Sequence, residues 1–227
     1  MTDAQNTSFH EKKAAGRHKY RNELARKILH MSSFLIVLFI YLTDQKTACL
    51  VIGALFVLLF IGNTLLLSSR FRFLNDIKVK YFSFLLRDDE KYGYISSNWF
   101  LLGCFLSVLL FPKTVAMLGI IVLIFGDAFA ALIGMRFGKH KFKNGKSVEG
   151  TFGFIGVSYL FLAVFAFLLK PGPAFIAAAL ISIPATAVVE VYSKQIKIDD
   201  NLTIPIFFGV LTVLLLFLFE KAAVFPV

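Results

Sequence analysis

One carboxylate, Asp127, stands in the helix-length run 124–139, whose other residues near it are apolar or small. A basic loop containing glycine follows at once, His140-Lys141-Phe142-Lys143-Asn144-Gly145-Lys146-Ser147-Val148-Glu149-Gly150. Placing an acid at the centre of a membrane helix costs about 2.5 kcal/mol or more, so such a residue is a functional candidate by default. Backbone N–H groups exposed by glycine, the start of the next helix and the Lys146 ammonium can all bind phosphate oxygens. Acid and loop together point to phosphate chemistry at a membrane surface. Gly145-Lys146-Ser147 has the ending of a P-loop, but the first glycine of that motif would fall on His140 and no strand precedes it, so a Walker fold is rejected. An ordinary cytosolic basic loop accounts for Lys139, Lys141 and Lys143 without further chemistry.

Other polar groups stand close to the apolar blocks. Asp199-Asp200-Asn201 sits just ahead of one, with Pro205 behind it. One of the three could be a helix N-cap. Three oxygen-bearing side chains in a row exceed what a cap needs, and carboxylates suit Mg²⁺ bridged to substrate phosphates. Glu23, Arg26, Lys27 and His30 fall at spacings of three and four, neighbouring positions on one helix face. Gly126, Ala130 and Gly134 recur every four residues beside Asp127, a pattern that lets another backbone or a ligand approach closely. Cys49 and Cys104 lie in apolar blocks without metal-ligand spacing and read as packing residues.

These groups are carried by a chain that is 58% hydrophobic with mean hydropathy +0.76. Its 227 residues offer too little polar surface to enclose such a core in water. The apolar residues fall in seven blocks, 28–43, 47–67, 95–111, 114–135, 151–169, 173–192 and 202–219. Each approaches the ~20 residues needed to cross ~30 Å of hydrocarbon, the first and third being short. The expected fold is an all-α integral membrane protein of about seven transmembrane helices. Residues 1–27 form a basic N-terminal helix, 28–220 the membrane domain and 221–227 a short tail. The start is polar and has no apolar core ahead of the first block, so no cleavable signal peptide is expected.

Lysine and arginine alternate loop by loop. The N-terminal segment carries seven, the loop after the second block six, the loop after the fourth five and the loop after the sixth two. The intervening loops and the C-terminus carry one each, Lys46, Lys113, Lys170 and Lys221. This asymmetry predicts a cytosolic N-terminus and an outside C-terminus. It also explains the net charge of +10 as topology, so no nucleic-acid partner is expected. Asp127, Glu149, Glu190, Asp199 and Asp200 then all fall on the cytosolic half, with Asp127 roughly 13 Å up its helix from Arg136.

The motifs Glu23-x-x-Arg26-Lys27-x-x-His30, Gly126-Asp127-Ala128 with Gly134 and Gly138, Gly145-Lys146-Ser147-x-Glu149-Gly150, and Ile198-Asp199-Asp200-Asn201-Leu202-x-x-Pro205 occur in that order. Arg87-x-x-Glu90-x-x-Gly93 is a weaker match. Together they resemble the CTP-dependent lipid-alcohol kinases: dolichol kinase, phytol or farnesol kinase, and CTP-dependent diacylglycerol kinase. The resemblance covers about residues 20 to 220. It implies transfer of the γ-phosphoryl group of CTP to a lipid hydroxyl with a divalent metal, Mg²⁺. It assigns Asp127, Lys146, Arg26, Lys27 and His30 to catalysis. Nucleotide binding falls to Gly126, Gly134, Gly138, Gly145, Lys146, Ser147, Glu149, Gly150 and Asn201. Metal binding falls to Asp127, Asp199 and Asp200, with Asp127 either a ligand or the acceptor of the hydroxyl proton. The partners implied are CTP, a lipid alcohol and membrane lipids. The site would face the cytosol, at the inner membrane of a prokaryote or an endomembrane of a eukaryote.

Two other functions use similar elements. Phosphatidate cytidylyltransferases also take CTP at a membrane, but their KD, HGG and DRxD pattern is missing here. A cation-coupled transporter would show an internal repeat and acids at the midplane. Here no repeat is visible and the acids gather toward one face.

The topology is directly testable. In a chain lacking Cys49 and Cys104, Asn144→Cys resists an impermeant thiol reagent in intact cells and reacts once the membrane is opened, while Lys170→Cys does the reverse. Labelling of position 144 from outside would split the acidic groups from the nucleotide pool and contradict the arrangement.

Overall fold

The computed structural model describes residues 20–68, 70, 72–86, 90–196 and 198–224, and contains no strand among them. Eight helices follow in order: α1 (Tyr20–Leu42), α2 (Gln45–Leu67), α3 (Arg72–Phe82), α4 (Ser96–Leu110), α5 (Lys113–Phe137), α6 (Val148–Leu169), α7 (Pro173–Ile196) and α8 (Asp200–Val224). Six of them, all but α3 and α4, are long and apolar enough to cross a membrane. The chain is an all-α, multi-pass membrane protein. Helix α4 has 15 residues and spans about 22 Å. It nevertheless packs inside the same bundle, between α2 and α8.

The sequence marks most helix ends. Asp44 caps α2 by accepting from the Thr47 N–H at 2.9 Å and the Thr47 hydroxyl at 2.6 Å. These bonds hold its carboxyl below the ordinary carboxylate range. Ser147 Oγ caps α6 by accepting from the Gly150 N–H at 3.1 Å. Lys170 ends α6 in the left-handed region at φ +46°, and Pro173 opens α7 after Gly172. At the end of the bundle away from Asp127, Lys113 Nζ donates to the carbonyls of Tyr41 (3.0 Å) and Thr43 (2.6 Å). Gln45 Nε2 donates to those of Val108 and Phe111. Free carbonyls at these helix ends are thus satisfied by side chains.

Helix α5 is the centre. In its apolar window 72% of residues are buried, against 11% to 50% in the other five long helices. The outer helices turn leucine and phenylalanine outward, as at Leu50, Leu58 and Phe167. Toward its middle α5 opens into a π-helical turn over Val122–Gly126, directly before Asp127. Such turns are rare and cluster at functional positions.

Two prolines lie inside helices, and each freed carbonyl meets a neighbour. Pro184 in α7 removes the N–H that would bond Leu180, and Tyr159 of α6 donates its hydroxyl to that carbonyl at 2.9 Å. Pro205 in α8 likewise frees the Asn201 carbonyl. Gly103 of α4 backs onto this oxygen so closely that a Cβ there would stand 2.3 Å from it. Ser182 and Thr212 join α7 to α8 through a buried hydroxyl contact of 2.9 Å.

Helix α3 is a departure from the sequence reading, in which residues 68–94 are the basic loop after the second block. Its residues mix Phe73, Leu74 and Ile77 with Arg72, Lys78 and Lys80, the composition of a helix lying in the membrane interface. Helix α1 also runs without a long break through the expected boundary at residue 27, with a single turn residue at Ser33.

Candidate active site

The π turn and the helix it opens set Asp127 on the inner face of α5, and Lys27 of α1 reaches it across the bundle. Lys27 Nζ donates to Asp127 Oδ2, and both residues are buried, at 5% and 8% exposure. One turn of α1 further on, His30 stacks edge-to-face on Phe100 of α4 with ring centres 5.1 Å apart. Its Nε2 is buried with no hydrogen-bond partner among the described residues. Arg26, the residue before Lys27, pairs with Glu23 one turn back at 2.7 Å.

The basic loop folds into a small hairpin. Lys141 bridges Ser147, and the Phe142 N–H donates to the Lys146 carbonyl at 2.8 Å. Gly145 makes the turn at φ +85°, a conformation that favours glycine, and its N–H donates to the Phe142 carbonyl at 2.9 Å. A Cβ at Gly145 would meet nothing within 4 Å, so this turn is open. Asn144 fixes the hairpin to α7 by donating to the Val191 carbonyl. Lys146 then reaches Glu190 Oε1 at 2.6 Å and also donates to the Glu190 carbonyl. Ser193 Oγ lies at 3.3 Å and Asp200 Oδ2 at 3.8 Å from the same ammonium.

Asp199 and Asn201 close on each other. Asp199 Oδ1 accepts from the Asn201 N–H at 3.0 Å and from Asn201 Nδ2 at 2.7 Å, which starts α8. That is the cap role. Asp200, next to it, faces the interior and sits between the Lys146 cluster and the cavity described below.

The expected nucleotide-binding residues divide. A Cβ on Gly126 would strike the Phe154 ring at 2.7 Å. One on Gly150 would stand 2.6 Å from the Ala130 carbonyl, and those on Gly134 and Gly138 would crowd Ser147 Oγ at 2.9 and 2.8 Å. These four glycines let α5 and α6 approach and seat the capping serine. Glu149 pairs with the exposed His140 at 2.8 Å. Gly145 and Lys146 are the members of the loop motif that stand away from this helix seam.

A cavity of about 310 Å³ gathers the remaining groups. It is lined by Arg26, Lys27 and His30 from α1, Lys78 from α3, Asp127 from α5 and Asp200 from α8. Asn201 and Glu90 border it too. Burial pulls the Lys78 ammonium below its ordinary pKa, and the Glu90 carboxylate works against that shift. Glu90 Oε1 accepts from the Ser96 N–H at 2.8 Å and so caps α4 from a distance. Arg87 of the weaker motif lies outside the described residues.

No three His, Cys, Asp or Glu side chains gather into a metal-holding group among the described residues. Asp127 and Asp200 do line the same cavity. Two carboxylates supplemented by substrate phosphates are the usual protein share of a Mg²⁺ site, so the donor set fits a metal delivered with a nucleotide. Asp199 is turned to its cap.

Sequence reasoning left Lys78 and Glu190 unassigned. The signal for Glu190 was an acid at the same end of the bundle as the basic loop. The signal for Lys78 was a basic residue on a helix that the charge pattern hid.

The Lys27–Asp127 pair yields a stability prediction. Lys27→Met strands a buried carboxylate and lowers stability by about 3–5 kcal/mol, read as thermal unfolding in detergent. Adding Asp127→Asn to Lys27→Met recovers most of that loss. A double variant as unstable as the single one would contradict the pairing.

With the geometry defined, the chain can be set beside known proteins. It is 35% identical over 193 residues to an uncharacterised protein of Rickettsia prowazekii, covering 81% of this chain and 90% of that one. It is 26% identical over 208 residues to CTP-dependent diacylglycerol kinase 1 of Saccharomyces cerevisiae, covering 82% of this chain and 71% of the relative. It is 33% identical over 134 residues to dolichol kinase of Schizosaccharomyces pombe, covering 55% of this chain and 26% of that longer protein. No protein-family model and no solved structure matches the chain. The ordered motifs, the all-helical membrane bundle and these relatives agree: the chain belongs to the CTP-dependent lipid kinase family.

Proposed function

We propose that this protein transfers the γ-phosphoryl group of CTP to the hydroxyl of a lipid alcohol, at the cavity between α1, α3, α5 and α8. The observation that carries the reading is the set of groups lining that one space: three cations, Arg26, Lys27 and Lys78, with three carboxylates, Asp127, Asp200 and the α4-capping Glu90. CTP as donor is supported by the likeness to two yeast proteins named CTP-dependent diacylglycerol kinase. The alternating basic loops support a cytosolic face, where nucleotide is available.

Phosphoryl transfer needs positioning and charge neutralisation more than covalent chemistry. The lipid oxygen forms a bond to the γ-phosphorus while the bond from that phosphorus to the β–γ bridging oxygen breaks, and CDP leaves. Arg26 and Lys78 neutralise charge on the triphosphate, Arg26 through a planar fork suited to phosphate oxygens. Lys27 holds Asp127 in place and lends the site a buried cation. Lys146, anchored by Glu190, orients Asp200 from behind. Asp127 and Asp200 would hold Mg²⁺, which would supply charge neutralisation for the transferring phosphoryl group. The hydroxyl proton passes to His30 Nε2, the ring nitrogen in this cavity wall without a partner among the described residues. Asp127 is less suited to that task because Lys27 occupies one of its oxygens.

The test is label from [γ-³²P]CTP moving into the lipid phase, run with purified protein over a panel of lipid alcohols. Transfer is expected with CTP preferred over ATP, and Asp127→Asn is expected to lower it by roughly a hundredfold or more while the protein still inserts and elutes as folded. Label that stays in the aqueous phase with every acceptor, or near-normal turnover by Asp127→Asn, would contradict the assignment.

A further inference from the structure

A second and larger space adjoins the charged cavity. It measures about 670 Å³, within the ~300–1,000 Å³ typical of small-molecule sites. Its walls are almost wholly apolar, including Leu58, Leu59 and Leu66 of α2, Leu74 of α3 and Leu101 of α4. Lys78 and Ile95 line both spaces, so the apolar groove runs up to the charged cavity. A molecule lying across this junction would have an apolar body in one space and a polar end in the other.

Besides Lys78 at the junction, one polar side chain interrupts the leucines. Asn63 lines the groove, is 3% exposed, and has neither its Nδ2 nor its Oδ1 hydrogen-bonded among the described residues. An amide in an apolar membrane wall is costly when unpaired, so its retention here calls for a visiting partner. The nearest neighbours in sequence do not supply one: Thr64 Oγ1 is engaged with the Phe60 carbonyl at 2.8 Å and with the Tyr94 hydroxyl at 3.2 Å. Beside Asn63 stands Gly62, where a Cβ would meet nothing within 4 Å. The groove is therefore open at Gly62, beside the residue whose unpaired amide is buried in its wall.

We propose that this α2–α3–α4 groove holds the acyl chains of a diacylglycerol-type acceptor, and that Asn63 donates to an ester carbonyl while the free hydroxyl enters the charged cavity. The chemistry selects among lipid alcohols. A glycerolipid carries ester carbonyls a few bonds from its free hydroxyl. A polyprenol has no oxygen beyond the hydroxyl itself and would leave the amide unmatched. The inference rests on the kinase reading for the fate of the hydroxyl, but occupancy of the groove can be read without turnover.

The experiment uses the full chain in lipid nanodiscs with a 1,2-diacylglycerol bearing a diazirine on one acyl chain. Irradiation is expected to label peptides within 55–66 and 95–101. Gly62→Phe, which fills the groove from an open position, is expected to cut that label at least about fivefold. In the kinase assay Asn63→Leu is expected to raise KM for the diacylglycerol about five- to tenfold, the worth of one hydrogen bond. Its KM for CTP, and for an ether-linked dialkylglycerol that lacks the carbonyls, is expected to stay unchanged. Four results would overturn the proposal: label outside the groove, label indifferent to Gly62→Phe, crosslinks between copies of the chain instead of to lipid, or a polyprenol that competes as well as diacylglycerol. An equal KM shift for diacyl and dialkyl substrates would remove the role of Asn63. Label in the groove with no phosphoryl transfer to any alcohol would sink the kinase reading alone. Transfer with no groove label would sink the groove alone.

Discussion

A carboxylate buried among apolar helices must meet a cation, and in this protein the meeting of Asp127 with Lys27 ties α1 to the central helix α5. Few other interactions could hold α1 so specifically, because only 17% of its apolar window is buried in the bundle. The pair fixes the rotation of α1 and thereby delivers Arg26 and His30 to the same cavity wall. A second anchored cation, Lys146, does the same for the hairpin by binding the end of α7 and approaching Asp200. Asp200 stands between the two clusters, so displacement of either would be felt at the start of α8.

Backbone irregularity supports this arrangement. The π turn before Asp127 adds a residue to the helix register and aims the carboxylate inward. Pro205 frees the Asn201 carbonyl, and the bare backbone of Gly103 lets α4 lie against it, which seats the α8 terminus at the cavity. The glycines between α5 and α6 permit close helix approach around Ser147. They serve the site by positioning the hairpin, and their contacts are with protein atoms.

Much of this was legible from residue types. An acid inside an apolar block, basic loops alternating with nearly neutral ones, and Asp199-Asp200-Asn201 ahead of a block each has a direct physical meaning, and together they locate the end of the bundle where the charges gather. The spacing of Arg26, Lys27 and His30 correctly implied one helix face. Less legible were features that depend on partners distant in sequence. Nothing local indicates that Lys146 will bind Glu190, or that Phe154 will fill the space beside Gly126. Helix α3 was hidden because its lysines and arginines read as a loop when topology is inferred from charge. Its apolar residues matter only once α2 and α4 are there to form a groove with them.

The central claim is that the charged cavity between α1, α3, α5 and α8 is where a nucleoside triphosphate sits. It is tested most directly by a cryo-EM structure with Mg²⁺ and a CTP analogue whose γ-phosphoryl cannot transfer. The account predicts density for the triphosphate in contact with Arg26 and Lys78, with the γ-phosphate near His30 and Asp127. A triphosphate bound at the opposite end of the bundle, around Lys113, or on the outer face of the hairpin away from the cavity, would contradict it.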